Sequence, residues 1–159
     1  MKSIKTYTIE EAKRALEHYC IYQDRCHKEV EEKLSKMRLI PEAIELIISH
    51  LIEENFLNET RFAQSFARGK FRIKKWGRIR ITRELKARNI TDYNIKTALK
   101  EIEESEYLET LENLIHRKIE FIQEPDYYKK RKKITDFLLR QGFESSLIFE
   151  LTSDLFEKN

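Results

Sequence analysis

Glycine, proline, cysteine and tryptophan are scarce in this chain of 159 residues. It contains three glycines, two prolines, two cysteines and one tryptophan. Because glycine and proline break helices and mark turns, their scarcity argues against a loop-rich fold and favours helices with short connections. No alternation of apolar and polar residues bounded by turn signals indicates a strand.

Long apolar runs are also missing. No stretch approaches the roughly 18 apolar residues of a membrane span, and residues 1–15, MKSIKTYTIEEAKRA, lack the apolar core of a signal peptide. We therefore expect a cytoplasmic protein that does not contact a membrane. In that compartment Cys20 and Cys26 are expected to be thiols rather than a disulfide.

The composition is that of a folded chain. Charged residues make up 37% and hydrophobic residues 40% of it. Isoleucine, leucine and phenylalanine recur along the whole length, which argues against disorder. A chain of this length is expected to form one or two domains with a real core.

Charge is segregated along the chain, although the formal net charge is only +3. Residues 68–100 contain 12 Lys and Arg against 2 Asp and Glu, a net +10, and residues 101–128 contain 2 against 9, a net −7. A smaller basic cluster, KKRKK, occupies 129–133. Because a dense basic zone most often meets phosphate or an acidic protein surface, residues 68–100 are the candidate contact region.

Most of the chain has the periodicity of amphipathic helices. In residues 40–57 the apolar positions follow the i, i+3, i+4 rule, with Pro41 suited to the first helical turn. Thr8 and Glu11 predict a capping box at the start of the first helix. Thr91 is expected to cap the helix that follows it.

An internal repeat organises the chain. Seven apolar residues recur 51 residues later, and four of these recur after a further 53. The three sets are Leu34, Leu39, Ile44, Ile48, Leu51, Phe56 and Leu57; then Leu85, Ile90, Ile95, Leu99, Ile102, Tyr107 and Leu108; then Leu138, Phe143, Ile148 and Leu155.

Each copy of the repeat is a helix, a tight turn and a second helix, preceded by an earlier helix. The earlier helices are expected at about 8–22, 58–75 and 106–123. The sequence thus predicts an all-α fold of three tandem three-helix, helix-turn-helix-like repeats, packed side by side in an elongated arrangement. The predicted boundaries are 1–57, 58–105 and 106–159.

At residues 56–90, FLNETRFAQSFARGKFRIKKWGRIRITRELKARNI, the chain resembles the signature of the RecX family, bacterial regulators of the RecA recombinase. The matching positions are Phe56-Leu57, Arg61-Phe62-Ala63, Trp76-Gly77, Glu84-Leu85 and Ile90. The first unit also fits, through YCIYQDRCHKEVEEKL. The departures are Asn58-Glu59 for an acidic pair, Arg78 where proline is common, and Asn89 for glycine. Asparagine suits that position because it tolerates the left-handed conformation that ends a helix.

The resemblance implies three tandem three-helix units that bind RecA–DNA filaments without catalysis. RecA is then the expected partner, with DNA contacted directly or through the filament. No cofactor is expected, and the protein is expected to be a monomer.

A helical projection separates the cations of the basic region from its apolar residues. Phe62, Phe66 and Ile73 share one face of the 61–75 helix and are expected in the core. On the next helix Ile81 and Leu85 are expected to point inward. The predicted partner-binding or nucleic-acid-binding residues are Arg61, Arg68, Arg72, Lys74, Lys75, Arg78, Arg80, Arg83, Lys86 and Arg88.

Trp76 and Gly77 mark the joint between these two helices. Glycine is expected to permit the turn, and the tryptophan is expected to pack beneath it. The alternative is that Trp76 is an aromatic platform on which bases stack.

No catalytic or metal-binding pattern is predicted. His18, Cys20, Cys26 and His27 lie close in sequence, but they lack the Cys-x-x-Cys spacing typical of metal sites. The carboxylates at 101–112 are interpreted as a solvated helix face, with a steering role against an acidic partner as the alternative.

Two functions remain open at this point. The first is regulation of RecA by an interaction protein. The second is a helix-turn-helix protein acting directly on DNA. The RIRITRELKAR helix (78–88) carries arginine and lysine rather than the amides typical of base readers, which suits charge contact better than readout.

Overall fold

A computed structural model describes residues 5–158, which form helices and no strand. The nine helices of this part of the chain are α1 (Ile9–Tyr22), α2 (His27–Ser35), α3 (Pro41–Glu53), α4 (Glu59–Arg72), α5 (Arg78–Ala87), α6 (Asp92–Leu99), α7 (Glu104–Phe121), α8 (Tyr127–Gln141) and α9 (Ser145–Lys158). The all-α prediction is confirmed. None of these helices is long and apolar enough to cross a bilayer.

The predicted helix starts are confirmed by their hydrogen bonds. Thr8 Oγ1 accepts from the Glu11 N–H at 3.1 Å while the Glu11 carboxylate accepts from the Thr8 N–H, so the capping box is complete. Thr91 Oγ1 accepts from the Asn94 N–H at 3.2 Å. Pro41 lies in the first turn of α3. Each arrangement satisfies or removes an amide that a helix start would otherwise leave unpaired.

The tight turn of the repeat has the same backbone conformation in all three copies. Arg38, Asn89 and Gly142 have φ of 59°, 60° and 96° and are related by the repeat spacing. In the second and third copies the N–H of the next residue donates a hydrogen bond to a carbonyl in the last turn of the preceding helix. Ile90 donates to Leu85 and Phe143 donates to Leu138, both at 3.1 Å. The left-handed conformation predicted for Asn89 is confirmed.

The helices pack as three groups of three, α1–α3, α4–α6 and α7–α9, which we term the first, second and third units. The first unit has its own core, which includes Leu16, Leu34 and Ile47. The second and third units share one continuous core, in which Phe71, Tyr107 and Phe143 lie in contact. These two units therefore form one packed body. Helix α7 begins at Glu104, so the boundary predicted after residue 105 falls in its first turn.

The first unit docks on the second through one buried residue and several polar contacts. The Cys26 side chain belongs to the shared core of the other two units. The Arg61 guanidinium binds Asp24 at 2.7 Å, and Lys28 Nζ donates to the Ala87 carbonyl at 3.0 Å. This junction is thus more polar than the one between the second and third units.

The core prediction for Ile73 is wrong. Ile73 shares a face of α4 with Phe62 and Phe66, as the projection requires, but it is 77% exposed. That face lines an open groove bordered by Gln23 and Gly69. Helix α4 itself ends at Arg72, three residues earlier than predicted.

Candidate functional site

Most of the predicted site residues lie on the C-terminal half of α4, on α5 and on the connection between these two helices. This part of the second unit packs beside the third unit. The connection contacts the end of α8: the Gly77 N–H donates to the Gln141 carbonyl at 2.7 Å, and the Ile79 N–H donates to the Gly142 carbonyl at 2.9 Å. The predicted site residues are therefore placed beside a unit interface. That position decides which cations are available to a partner.

Gly77 is required by this interface rather than by a turn. Its φ is −81°, a value open to any residue, so the expected conformational role is wrong. A Cβ at Gly77 would instead lie 2.3 Å from the Gly142 carbonyl oxygen. Two backbones thus approach so closely that only glycine fits.

Arg68 and Arg72 on α4 pair with the acidic stretch. The Arg68 guanidinium lies 3.4 Å from the Glu101 carboxylate, and that of Arg72 lies 3.5 Å from Glu106. Glu101 and Glu106 of the 101–112 stretch therefore remain partly solvated but also pair with cations of the second unit. Both ion pairs are partly exposed, so each contributes little to stability and is open to exchange with another anion.

Arg78 is held in a network between the units. Its guanidinium pairs with Glu104 and, at 2.8 Å, with Glu144, and it stacks 3.8 Å above the centroid of the Tyr107 ring. Burial opposes its charge, but the hydrogen bonds that it donates to Glu144 and Glu104, with the charges of these carboxylates, outweigh burial and raise the pKa of Arg78. Burial, reinforced by the hydrogen bond to Glu144, also raises the pKa of Tyr107. Arg78 therefore orders the junction.

Arg80 does not point outward as predicted. Its guanidinium lies 4.2 Å above the centroid of the Trp76 ring, and its Nη1 donates to the Gln141 side chain at 3.2 Å. Its Nε is buried without a hydrogen-bond partner among the described residues. Because the Gly142 backbone packs against the Arg80 Cβ, the aliphatic stem of this residue forms part of the interface.

Arg61 and Arg88 are likewise engaged within the chain. Besides Asp24, Arg61 donates to the carbonyls of Asn55 and Phe56 at 3.0 and 3.1 Å, which fixes the first unit against α4. Arg88 binds the Glu84 carboxylate at 3.1 Å across one turn of α5. Both residues stabilise the fold locally.

Three of the ten predicted residues have free charged groups. Lys74, Arg83 and Lys86 are exposed, and none of them forms an ion pair with a residue in the described range 5–158. Lys75 is half-buried, and its Nζ donates to the Arg72 carbonyl at 2.8 Å. We call Lys74, Arg83 and Lys86 the free cations. They can bind phosphate or carboxylate oxygens without breaking a contact of the fold.

Trp76 is occupied within the protein. Its ring packs edge-on against Phe66, with centroids 6.2 Å apart, and Lys70 Nζ lies 4.9 Å from its centroid. With Arg80 also on the ring, the indole has packing partners from both helices. The expectation that it packs at the joint is confirmed, and the alternative of a free base-stacking platform loses support.

The cysteine-containing stretch holds two buried thiols. Cys20 and Cys26 are buried free thiols, as predicted. Burial raises the pKa of the Cys26 thiol to about 11, and this thiol donates to the Glu29 carboxylate at 3.2 Å. Within residues 5–158 no group of three or more His, Cys, Asp or Glu side chains converges as metal ligands would.

Sequence reasoning missed the third-unit side of this site. Gln141, Gly142 and Glu144 all contact the second unit but carry no basic or signature character. The repeat spacing aligns Gly142 with Asn89 and so could have indicated its turn. No sequence signal indicated that this turn meets Gly77.

The match to known protein families covers the second and third units. The family model for the second three-helix domain of RecX matches residues 58–99, and that for its third three-helix domain matches residues 104–151.

Curated relatives extend the similarity into the first unit. Regulatory protein RecX of Lactobacillus gasseri is 31% identical over 129 residues, which are 81% of this chain and 48% of the relative. The protein of the same name from Oceanobacillus iheyensis is 28% identical over 141 residues, 89% of this chain and 52% of the relative. The chain thus spans about half the length of the curated relatives it matches.

Two crystal structures have the same fold. RecX from Lactobacillus salivarius superimposes with a TM-score of 0.80 at 27% identity, over 92% of this chain and 96% of the other. A second structure of a regulatory protein RecX gives a TM-score of 0.81 at 21% identity, over 92% of this chain and 73% of the other, and supports the fold alone.

Proposed function

Because the chain belongs to the RecX family of regulatory proteins, we propose that it binds RecA and RecA–DNA filaments and modulates their recombinase, ATPase and coprotease activities, mainly by inhibition. We propose that it acts in the cytoplasm. We assign it no catalytic role and no cofactor, and we propose that it acts as a monomer.

The observation that carries this proposal is the presence of free cations on a body with one continuous core. Lys74, Arg83 and Lys86 project from the second unit, whose core is continuous with that of the third. A charged surface on a well-packed body needs little ordering of its backbone when it binds. Such a surface suits a filament, which offers the same acidic or phosphate groups at regular intervals.

The remaining predicted residues have different proposed roles. Arg68 and Arg72 form exposed ion pairs that a partner's carboxylate or phosphate can replace. Arg61, Arg78 and Arg80 hold the three units in register, so we propose that they position the contact surface rather than contact the partner.

We propose that the row of three units lies along the groove of the RecA filament and touches several subunits at once. A protein that binds one filament state better than another shifts the population toward that state. Inhibition then requires only that the bound state be inactive or prone to disassembly. The contacts that hold the first unit on the second support this arrangement, because they keep the three units in one row.

Direct, sequence-specific binding to DNA is the weaker alternative. In a helix-turn-helix reading α6 would be the recognition helix, and Asn94 would be its natural base reader. The Asn94 side chain instead accepts a hydrogen bond from the Thr60 hydroxyl at 2.9 Å. The exposed α6 residues Asp92, Tyr93 and Lys96 offer no bidentate amide, so contact with phosphate is the better-supported mode.

The experiment compares RecA ATPase and strand exchange with and without the protein. The variant Lys74→Glu/Arg83→Glu/Lys86→Glu should raise the half-inhibitory concentration by about tenfold or more, since three contacts of about 0.5 kcal/mol each amount to about one decade. Its far-ultraviolet circular dichroism and melting temperature should stay unchanged.

The matched control reverses three exposed cations outside this surface, Arg14→Glu/Lys36→Glu/Arg117→Glu. It changes the net charge equally, so the inhibitory concentration should move little if the surface is specific. An equal loss of inhibition in both variants would show that the effect depends on net charge and not on this surface. If the first variant inhibited RecA as well as the wild-type protein does, the contact would have to lie on another surface. If the wild-type protein had no effect on RecA, the proposed function would be refuted.

A further inference from the structure

We propose that the groove between the first unit and α4 binds an apolar side chain of a partner protein, on a segment that carries carboxylates beside it. Gln23 of the α1–α2 connection borders this groove, and Phe66, Gly69 and Ile73 line it from the second unit. We call it the α4 groove. The inference rests on the proposed function, which names RecA as the partner, and it adds the chemistry that the partner must offer.

One face of α4 runs from the core into the α4 groove. Phe62, Phe66, Gly69 and Ile73 are spaced by four, three and four residues, so they lie on one side of the helix. The Ile73 N–H donates to the Gly69 carbonyl at 2.9 Å, so the helical backbone continues to this residue. Phe62 is 4% exposed, whereas Ile73 is 77% exposed. The apolar face therefore extends beyond the part that the core of this chain buries.

Gly69 lies in the middle of this face, where the fold does not require a glycine. No atom outside its own helix segment lies within 4 Å of a Cβ placed there. Glycine in the interior of a helix destabilises it relative to alanine, and its use is typical where a ligand approaches the backbone closely. The open space at Gly69 therefore indicates room for another molecule.

The α4 groove has room for one large side chain. Its volume is about 190 Å³, which exceeds the roughly 150 Å³ of a protein cavity that admits benzene. A leucine, methionine or phenylalanine side chain that enters it would remove its own apolar surface and that of Ile73 from water. The hydrophobic effect favours this burial.

The charges beside the α4 groove define what else the segment carries. Lys70 and Lys74 line it one helical turn apart, and neither forms an ion pair within residues 5–158. The carboxylate of Asp24, which also lines it, is neutralised by the Arg61 guanidinium at 2.7 Å. The uncompensated charge is thus positive. By electrostatic complementarity the segment has carboxylates next to its apolar side chain.

The surroundings hold both lysines in place without consuming their charges. Lys70 Nζ lies 5.4 Å from the Phe66 centroid and 4.9 Å from the Trp76 centroid, and such contacts order a cation while it stays charged. The Gln141 side chain donates to the Lys74 carbonyl at 3.2 Å, so the third unit fixes the backbone at Lys74. Ordering these groups on binding therefore costs little conformational entropy.

The α4 groove suits a protein segment better than a nucleic acid base. Bases stack on open aromatic rings, but the Phe66 ring already contacts Trp76, with centroids 6.2 Å apart. Lys70 lies over the same ring, and the Arg88 guanidinium lies 4.9 Å from its centroid. Ile73, the most exposed apolar group here, has no π-system. An apolar side chain gains contact with these residues, whereas a base gains no stacking.

The test measures the half-inhibitory concentration of the protein for RecA ATPase over a range of salt concentrations. Ile73→Ser removes apolar contact without changing net charge, so inhibition should weaken by about fivefold or more at every salt concentration. Lys70→Gln/Lys74→Gln should weaken inhibition mainly at low salt, because salt screens charge contacts.

A second variant fills the α4 groove with a side chain of this protein. Gly69→Leu should weaken inhibition by about fivefold or more, since leucine occupies the space that the partner needs. Its melting temperature should equal or exceed that of the wild-type protein, because leucine favours a helix more than glycine does. If Gly69→Leu did not fold, Ile73→Ser would decide alone.

Matched controls lie outside the α4 groove. Ile40 is 65% exposed in the first unit, so Ile40→Ser removes a similarly exposed isoleucine. Arg14→Gln/Lys36→Gln removes two exposed cations. Both controls should inhibit RecA as the wild-type protein does.

The outcomes separate this inference from the proposed function. Wild-type inhibition by Ile73→Ser, or equal losses in Ile73→Ser and Ile40→Ser, would overturn the role of the α4 groove and leave the regulation of RecA standing. A wild-type protein without effect on RecA would refute both. Binding of a labelled oligothymidylate without RecA should be the same for Ile73→Ser and wild type; a fivefold loss there would assign the α4 groove to nucleic acid instead.

Discussion

Replacing Gly77 by alanine should loosen the junction between the second and third units. The added Cβ would lie 2.3 Å from the Gly142 carbonyl oxygen and 2.5 Å from the Phe143 amide nitrogen, against ordinary contacts of 3.4 Å or more. Both obstacles are backbone atoms, which cannot rotate away. The two segments must therefore separate by about 1 Å, the difference between these distances.

The energetic cost follows from what that separation breaks. The hydrogen bonds from Gly77 to Gln141 at 2.7 Å and from Ile79 to Gly142 at 2.9 Å would stretch beyond useful length. Each contributes about 1 kcal/mol net, and overpacking adds roughly 1–3 kcal/mol. Alanine returns about 1 kcal/mol by restricting the unfolded chain. The net destabilisation is about 2–4 kcal/mol.

Urea unfolding followed by circular dichroism measures this loss. For an m-value of about 2 kcal/mol per M, the midpoint should fall by about 1–2 M. Gly69→Ala is the matched control, because no atom outside its own helix segment lies within 4 Å of a Cβ placed there. That variant should gain about 0.5–1 kcal/mol from better helix propensity. If Gly77→Ala proved as stable as Gly69→Ala, the close approach of the two units would be refuted.

Two further predictions concern the hydrogen bonds of Tyr107 and the packing of Arg80, both at the junction between the second and third units. Tyr107→Phe should destabilise the protein by about 1–3 kcal/mol in urea titrations, because the Arg78 amide and the Glu144 carboxylate lose a buried partner. The pKa of Tyr107 is higher in the folded protein than the value of 10.0 in the unfolded chain, so the protonated hydroxyl stabilises the folded state below pH 10. The free energy of unfolding should therefore fall as the pH rises above 10, and it should fall less steeply in Tyr107→Phe. Arg80→Glu should lower the melting temperature by several degrees, whereas Arg83→Glu should change stability by less than about 0.5 kcal/mol; equal melting temperatures would contradict the packing of Arg80 on Trp76.

The sequence was sufficient for the helices, their starts and the repeat because these depend on neighbours within a few residues. The capping box at Thr8 needs only Glu11, and the buried Leu34, Leu85 and Leu138 follow from an apolar pattern that recurs after 51 and then 53 residues. Such signals are local and repeat in each copy. The all-α fold of three-helix units could therefore be derived before any contact between units was known.

The state of each cation could not be derived in this way, since its partner is distant in sequence. Arg78 meets Glu144, 66 residues away, and Arg80 meets Gln141, 61 residues away. A helical projection assigns a residue to the outer side of its own helix, but it cannot show that another unit covers that side. Seven of the ten predicted residues make internal polar contacts for this reason, which leaves the three free cations as the strongest candidates for partner contact.

The three turns of the repeat show how one conformation serves different surroundings. Arg38, Asn89 and Gly142 are all left-handed, a conformation that costs an ordinary residue about 1–2 kcal/mol and glycine almost nothing. Arg38 and Asn89 are exposed, so their side chains extend into solvent. Gly142 is buried, and a Cβ there would lie 2.3 Å from the Cβ of Arg80. The repeat therefore predicts the backbone of each turn, whereas the loss of the side chain in the third copy is explained by the unit that packs against it.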